Sequence, residues 1–234
     1  LDDLENKGYS IDYCLSKSDL NFLRNIINKH YIDTIVSYYP NCKNLMKSKK
    51  IYEYHKISDN FDHSKLWSKK NRIIPQDLLI KFKKLNFLKK IKKFFGNFTI
   101  SNEEFSKYEE VYWRIARPKN KDDIGTLHAD KWFWKDDKHS ISKRIKVWIP
   151  VYCNGKDTGF CYVPKSHLKN IKYKSRKEKN RTKFIIENIQ DLKIKKHIAN
   201  PGNAIIFHDN LIHGGYSIDY LTRVSIEFTM IIKD

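Results

Sequence analysis

His128 and Asp130 stand two residues apart in Gly125-Thr126-Leu127-His128-Ala129-Asp130. Side-chain direction repeats every second residue on an extended backbone, so this spacing turns an imidazole and a carboxylate to the same side. They form two adjacent corners of a metal site, and His213, far downstream in Ile212-His213-Gly214-Gly215, offers the third. Two neutral imidazoles and one carboxylate suit ferrous iron, and three protein ligands leave positions open for a cosubstrate and dioxygen. Ten residues beyond His213, Arg223 precedes Ser225 by two in a strand-like run, which faces a guanidinium and a hydroxyl the same way. A planar fork beside a hydroxyl matches a buried carboxylate, because the fork pairs with both oxygens and the hydroxyl fills a remaining lone pair. That carboxylate could belong to a cosubstrate. H-x-D alone arises readily by chance, so its weight comes from these partners in the second half of the chain.

The other chemistry-bearing residues have plainer readings. His208 directly follows an apolar run and is expected to face the other side or cap the strand end, while His167 orders its own turn. His30, His55, His63, His139 and His197 have no partner pattern and are read as solvated; Arg144 and Lys146 flank a strand and are read as surface charges. Trp132, Phe133 and Trp134 follow Asp130 at once, where aromatics serve either as core filler or as a substrate wall. Trp132 and Trp134 are therefore the candidate substrate residues. In the second case Lys131, Lys135 and the basic run from Lys165 to Lys183 would ring the entrance with positive charge, matching an acidic or phosphorylated substrate.

These residues must be positioned by strands. Phe98–Ile100, Val111–Arg117, Ile145–Val151, Gly159–Val163, Ala204–Phe207 and Thr222–Ile231 are β-branched and aromatic with breakers between them. Before them, Leu4 to Ile11 reads as a turn and a short strand. A helix capped by Ser18 or Asp19 follows, with Leu20, Phe22, Leu23, Ile26 and Ile27 at helical spacing. A second helix begins after Pro75 and carries an apolar stripe through Leu78, Leu79, Phe82, Leu85, Phe87, Leu88, Ile91 and Phe94 to Gly96. Helices first and six or more strands afterwards imply a mainly β fold, a sandwich or barrel with helices packed outside. We expect one domain over residues 1–234, with 1–96 a largely helical flank, 97–234 the β core, and 165–200 a basic insert read as exposed loop and helix, a mobile lid.

Composition agrees with a globular chain: 40% hydrophobic and 14% aromatic, with no apolar run long enough to span a bilayer. The start at Leu1 has neither the basic opening nor the apolar run of a secretory leader, and the missing Met suggests a trimmed start. Cys14, Cys42, Cys153 and Cys161 form no C-x-x-C pair and no disulfide framework, which fits a reducing cytoplasm. Cys153 and Cys161 flank a turn and are read as small buried apolar residues. The net charge of +19 permits polyanions, anionic membranes or phosphorylated substrates. It also accompanies an excess of Lys, Asn, Ile and Tyr that an AT-rich coding sequence produces without function.

The order H-x-D, distal His, then Arg ten positions later resembles the Fe(II)/2-oxoglutarate-dependent oxygenases, in particular the phytanoyl-CoA dioxygenase-like group. Lys146-Val147-Trp148-Ile149-Pro150-Val151, then Gly159-Phe160-Cys161-Tyr162-Val163-Pro164-Lys165-Ser166-His167, resembles that group's strand, glycine turn and Pro-Gly-Ser-His segment, and Leu4 to Tyr9 resembles its opening. The resemblance implies a double-stranded β-helix (jelly-roll, cupin-like) core, with His128, Asp130 and His213 binding Fe(II) and Arg223 with Ser225 holding the distal carboxylate of 2-oxoglutarate. It further implies that Trp148 lines the cosubstrate pocket and that Tyr112 or Arg114 adds contacts. Two departures are Lys165 in place of a glycine, and Gly215 where a serine touching the cosubstrate is common. The implied activity is a dioxygenase that consumes O2 and releases succinate and CO2. Asp130, where halogenases carry a small residue, favours hydroxylation of a small molecule or biosynthetic intermediate, although desaturation, ring closure or epimerisation start from the same oxidant. The alternative from another class is a non-catalytic basic binding protein for nucleic acid or an anionic polymer on the same fold.

Overall fold

The structure, a computed structural model, describes residues 2–101, 108–133, 143–178, 181–198, 200–217 and 220–232. Among the described residues, six α-helices occupy the N-terminal part: α1 (Asp2–Lys7), α2 (Lys17–Tyr38), α3 (Lys43–Ser48), α4 (His63–Leu66), α5 (Gln76–Phe82) and α6 (Asn86–Phe95). The eleven strands among the described residues are β1 (Tyr9–Cys14), β2 (Phe98–Ile100), β3 (Tyr112–Ala116), β4 (Lys143–Tyr152), β5 (Thr158–Tyr162), β6 (Tyr173–Glu178), β7 (Arg181–Ile186), β8 (Lys195–His197), β9 (Asn203–His208), β10 (His213–Ser217) and β11 (Arg223–Ile232).

The expected turn at the N-terminus is helix α1, and β1 inside the expected helical flank belongs to the main sheet, paired with β9. Ser16, two residues before the first expected cap, caps α2 by accepting from Asp19 N at 3.1 Å. Asp19 instead accepts from Phe87 N at 2.9 Å and ties α2 to the start of α6. The second expected helix is two, because Leu85 is extended (ψ 143°) and interrupts the run. That break sets Phe82, Phe87, Leu88 and Ile91 on the core together. Phe94, assigned to the apolar stripe, is exposed, and Phe95 takes the buried place.

All six predicted strands form. The main sheet runs β1-β9-β4-β11-β2, with β3 pairing the first half of β11 and β2 its end. A second sheet runs β10-β5-β8. Alternation along β4 and β11 decides the layers. Val147, Ile149, Val224, Ile226 and Phe228 turn outward onto α2, α5 and α6 in one large cluster, while Trp148, Phe160, Tyr162, Ile205 and Phe207 fill the space between the two sheets. Two facing antiparallel sheets with helices outside the larger one make the double-stranded β-helix core. Pro150 sits in central β4 beside a register shift at Val224/Ser225, where a missing N–H is tolerated.

The insert is not loop and helix: among its described residues, β6 and β7 form an antiparallel hairpin and β8 edges the second sheet, with short 3-10 turns at Ser166–Leu168 and Ile189–Asp191. Cys153 and Cys161 are buried and free, as read. No helix among the described residues is long and apolar enough to cross a membrane.

Candidate metal centre

His213 opens β10, and its backbone makes an antiparallel bridge with His128: His128 N donates to the His213 carbonyl at 2.9 Å, and His213 N to the His128 carbonyl at 2.8 Å. A Cβ on Gly214 would lie 3.1 Å from the Gly125 carbonyl oxygen, so the close run of residues 125–128 along β10 depends on that glycine. Asp130 is not in a strand, as the two-residue spacing suggested, but opens a 3-10 turn (Asp130–Phe133) whose bend still delivers its carboxylate beside His128. Asp130 Oδ1 lies 3.7 Å from His128 Nε2, and Asp130 Oδ2 lies 3.6 Å from His213 Nε2. One ligand atom from each of the three residues lies within 4.8 Å of the others. Each imidazole is oriented from behind: His128 Nδ1 donates to the Thr126 carbonyl at 2.6 Å, and His213 Nδ1 to that of Leu211 at 2.9 Å. A proton held on Nδ1 leaves the Nε2 lone pair for a metal.

The electrostatics fit a cation. Asp130 Oδ2 is out of water and accepts no hydrogen bond among the described residues, which is the condition a bound metal relieves. Burial opposes its charge, but the Lys146 ammonium at 3.5 Å and the imidazoles outweigh it and hold the carboxyl well below the usual carboxylate range. Burial pushes His213 down to about 4, so its imidazole is neutral near pH 7, as a ligand must be.

Lys146 and Arg144 were read as surface charges. Both are buried, because on β4 they share the inward face with Trp148, and the second sheet covers that face. On β11 the same face carries Arg223, Ser225 and Glu227. Arg223 is buried, donates through Nη1 to the Gly159 carbonyl, and lies with Cζ 6.0 Å from the Trp148 ring centre. Its Nε and the fully buried Ser225 Oγ lack hydrogen-bond partners among the described residues. These two donors match the anionic group expected there. Burial lowers Arg223 to about 10, with the like charge of Arg114 adding to the effect, and it stays charged at neutral pH. Arg114 pairs with Glu227 at 2.6 Å. The Tyr112 hydroxyl donates to Glu110 and its ring lies 5.1 Å from the Lys69 ammonium. The two residues are thus engaged with protein partners, and the structure brings neither of them to the triad by a direct contact among the described residues.

Aromatic side chains wall the mouth. Phe133 packs edge-on against His128 at 5.4 Å, and Phe184 of β7 lies parallel to it at 6.4 Å. Trp132 stacks on Tyr173 of β6 at 3.9 Å, so the hairpin is seated beside the triad through its base. A cavity of about 470 Å³ beside this stack is lined by Lys131, Trp132, Lys169 and Asn170 among others. Trp134 and Lys135 lie outside the described residues. Sequence reasoning missed Lys146, Glu227 and Phe184; only the alternation of β4 and β11 carried a signal for the first two.

The remaining histidines are not simply solvated. His30 meets the Trp113 indole at 3.2 Å, His55 the Thr222 hydroxyl at 2.9 Å, His63 pairs with Asp123 at 3.3 Å, and His197 is buried against the Asn203 carbonyl at 3.2 Å. His139 lies outside the described residues. His208 stays off the triad, as expected, beside Asp209 at 3.1 Å. His167 reaches beyond its own turn and donates from Nε2 to the Glu5 carbonyl at 2.9 Å.

The sequence profile of the phytanoyl-CoA dioxygenase (PhyH) family matches residues 35–218. The chain belongs to the phytanoyl-CoA dioxygenase family. No protein of curated function matches it significantly in sequence. Among solved structures, the fold is similar to EvdO2 from Micromonospora carbonacea var. aurantiaca (TM-score 0.59, 11% identity, 99% of this chain and 89% of that one). It is also similar to EctD from S. alaskensis with 2-oxoglutarate and 5-hydroxyectoine (0.57, 13%, 97% and 73%). A third is SnoK, a non-heme alpha-ketoglutarate-dependent carbocyclase from nogalamycin biosynthesis (0.55, 12%, 99% and 82%). The two departures from the phytanoyl-CoA dioxygenase pattern have physical consequences. Lys165 holds the left-handed backbone (φ 62°) that favours glycine. The turn survives because Ser166 Oγ accepts from Ile212 N at 2.8 Å and so fixes the residue before His213. At Gly215 a Cβ would come within 3.1 Å of Ile124 and 3.3 Å of Arg223 Nη1, so a serine there would need both neighbours to shift by a few tenths of an ångström.

Proposed function

We propose that this member of the phytanoyl-CoA dioxygenase family is an Fe(II)- and 2-oxoglutarate-dependent dioxygenase that hydroxylates a small molecule or biosynthetic intermediate, with one oxygenase domain spanning residues 1–234. The observation that carries this reading is two unsatisfied sets on the inward side of the main sheet. One is the carboxylate oxygen of Asp130 between two Nε2-presenting histidines, and the other is the Arg223 Nε and Ser225 Oγ. With iron, 2-oxoglutarate and dioxygen bound, the site would supply oxidative decarboxylation to succinate and CO2 coupled to oxygen insertion into a C–H bond.

In this reading His128, Asp130 and His213 hold the metal, and their carbonyl-anchored Nδ1 protons keep the rings from turning. Arg223 and Ser225 grip the distal carboxylate against the Trp148 ring. Phe160 and Phe207 keep water from that end, while Phe133 and Phe184 narrow the other. The substrate enters past Trp132. Lys131 and Lys169, which line the cavity next to Trp132, support an acidic or phosphorylated substrate, and the free cysteines support a cytoplasmic setting.

Succinate formation without added substrate is the direct test. Wild-type protein with Fe(II) should convert 2-oxoglutarate slowly, and Arg223→Gln should raise the 2-oxoglutarate Kd by about 30- to 1000-fold, the loss of a charge-assisted pair. Metal affinity should be unchanged in that variant. Equal cosubstrate binding by both proteins would remove Arg223 from the role given to it.

A further inference from the structure

Nearly half of the molecule's charge excess sits in one stretch. Between Lys165 and Ile198 twelve lysines and arginines face three acids, so this stretch carries +9 of the net +19. A uniform compositional bias would have spread that charge along the chain. Within the same stretch lie Leu168, Tyr173, Ile185, Ile189, Ile194 and Ile198, six of the thirteen exposed large hydrophobic residues among those described. Ile198 is 70% exposed and Leu168 67%. The acids are largely engaged within the stretch: Glu187 lies 3.7 Å from Lys174, and Glu178 lies 2.9 Å from Arg176 and 2.7 Å from Lys183. Lys172, Lys177, Lys193 and Lys195 are exposed as well.

Register shows how the hairpin is divided. Tyr173, Phe184 and Ile186 share its inner face and pack toward Trp132, with Ser175 and Lys177 further out on that face, whereas Lys174, Arg176, Glu178, Lys183 and Ile185 share the outer one. The outer face is therefore mainly cationic around one aliphatic residue, Ile185, and further along the stretch exposed Ile194 and Ile198 alternate with Lys193, Lys195 and Lys196. A protein interface concentrates apolar residues at its centre and is depleted in lysine. Nucleic acid backbones gain nothing from isoleucine. Interspersed lysine and isoleucine suit a fluid anionic surface, where ammoniums meet headgroups and aliphatic chains enter the acyl boundary.

We propose that the exposed cationic and aliphatic side chains of residues 165–178 and 182–198 dock this protein on an anionic lipid bilayer, with the hairpin base setting the mouth of the metal centre beside that surface. Docking does not depend on iron, so it stands or falls separately from the catalytic reading.

Co-sedimentation of the metal-free full chain with vesicles tests it, comparing phosphatidylcholine alone with phosphatidylcholine mixed with phosphatidylserine. Wild-type protein should pellet only with the anionic vesicles, and less so as salt is raised. Each lysine near such a surface is worth about fivefold in partitioning, so combined Lys172→Gln, Lys177→Gln, Lys193→Gln and Lys195→Gln should weaken binding at least tenfold. Ile185→Ser with Ile194→Ser should weaken it too, leaving the salt dependence intact. Any of three results overturns the proposal: no pelleting of the wild type, equal partitioning of the four-lysine variant, or tighter retention by duplex DNA than by vesicles at matched ionic strength.

Discussion

Lys165 holds a backbone angle of φ 62° that an L side chain adopts at a cost. Against the extra chain entropy of glycine, Lys165→Gly should still stabilise by about 0.5–1 kcal/mol, which is roughly 2–3 °C in Tm for a chain of this size. A lower Tm would show that the lysine side chain contributes more than its backbone costs. The gathering of His128, Asp130 and His213 was legible from sequence because a short spacing and chain order bring them together, even though Asp130 reaches its place from a 3-10 turn. Arg144 and Lys146 were not. Alternation says that they share a face of β4, but only the second sheet, formed from residues far along the chain, makes that face interior. The same limit hid Glu227, whose pairing with Arg114 needs the register of β3 on β11.

The six apolar strands were readable because β-branched and aromatic runs bounded by breakers bury on both faces. β10 was not, since His213-Gly214-Gly215-Tyr216-Ser217 has no apolar alternation and is a strand only through its partner β5. The hairpin was misread because its lysine-rich sequence has no period of its own. It is held by a few aromatic contacts at its base, with Phe184 at 4.8 Å from Phe133 and 5.3 Å from Trp132. A two-stranded ribbon is marginal without such packing. Phe184→Ala removes about 3 kcal/mol of packing, and it should appear as local opening: faster amide exchange and protease cleavage within β6 and β7, with the global unfolding midpoint little changed. A large drop in global Tm with the hairpin still protected would mean that the hairpin is part of the main cooperative unit.

Over the whole molecule, two buried carboxyls away from the triad contribute to acid stability. Burial alone would raise both. Yet Arg114 brings Glu227 down to about 2, and the Arg117 fork at 2.7 and 2.9 Å, with His63, holds Asp123 well below its ordinary 3.8. A carboxyl depressed on folding stabilises fully above its unfolded value and loses that contribution as pH falls through the folded one. Denaturant midpoints should therefore fall steeply below about pH 4.5, the unfolded value of a glutamate. Asp123→Asn should lower the neutral-pH midpoint and flatten that acid leg; an unchanged acid slope would assign it to other groups. The claim that organises the molecule is the shared cation site of His128, Asp130 and His213 beside the Arg223 pocket. Its most direct measurement is the visible spectrum of the anaerobic protein with Fe(II) and 2-oxoglutarate. A charge-transfer band should form in the wild type and vanish in His213→Ala, and a band that persisted in that variant, or never formed in the wild type, would contradict the site described.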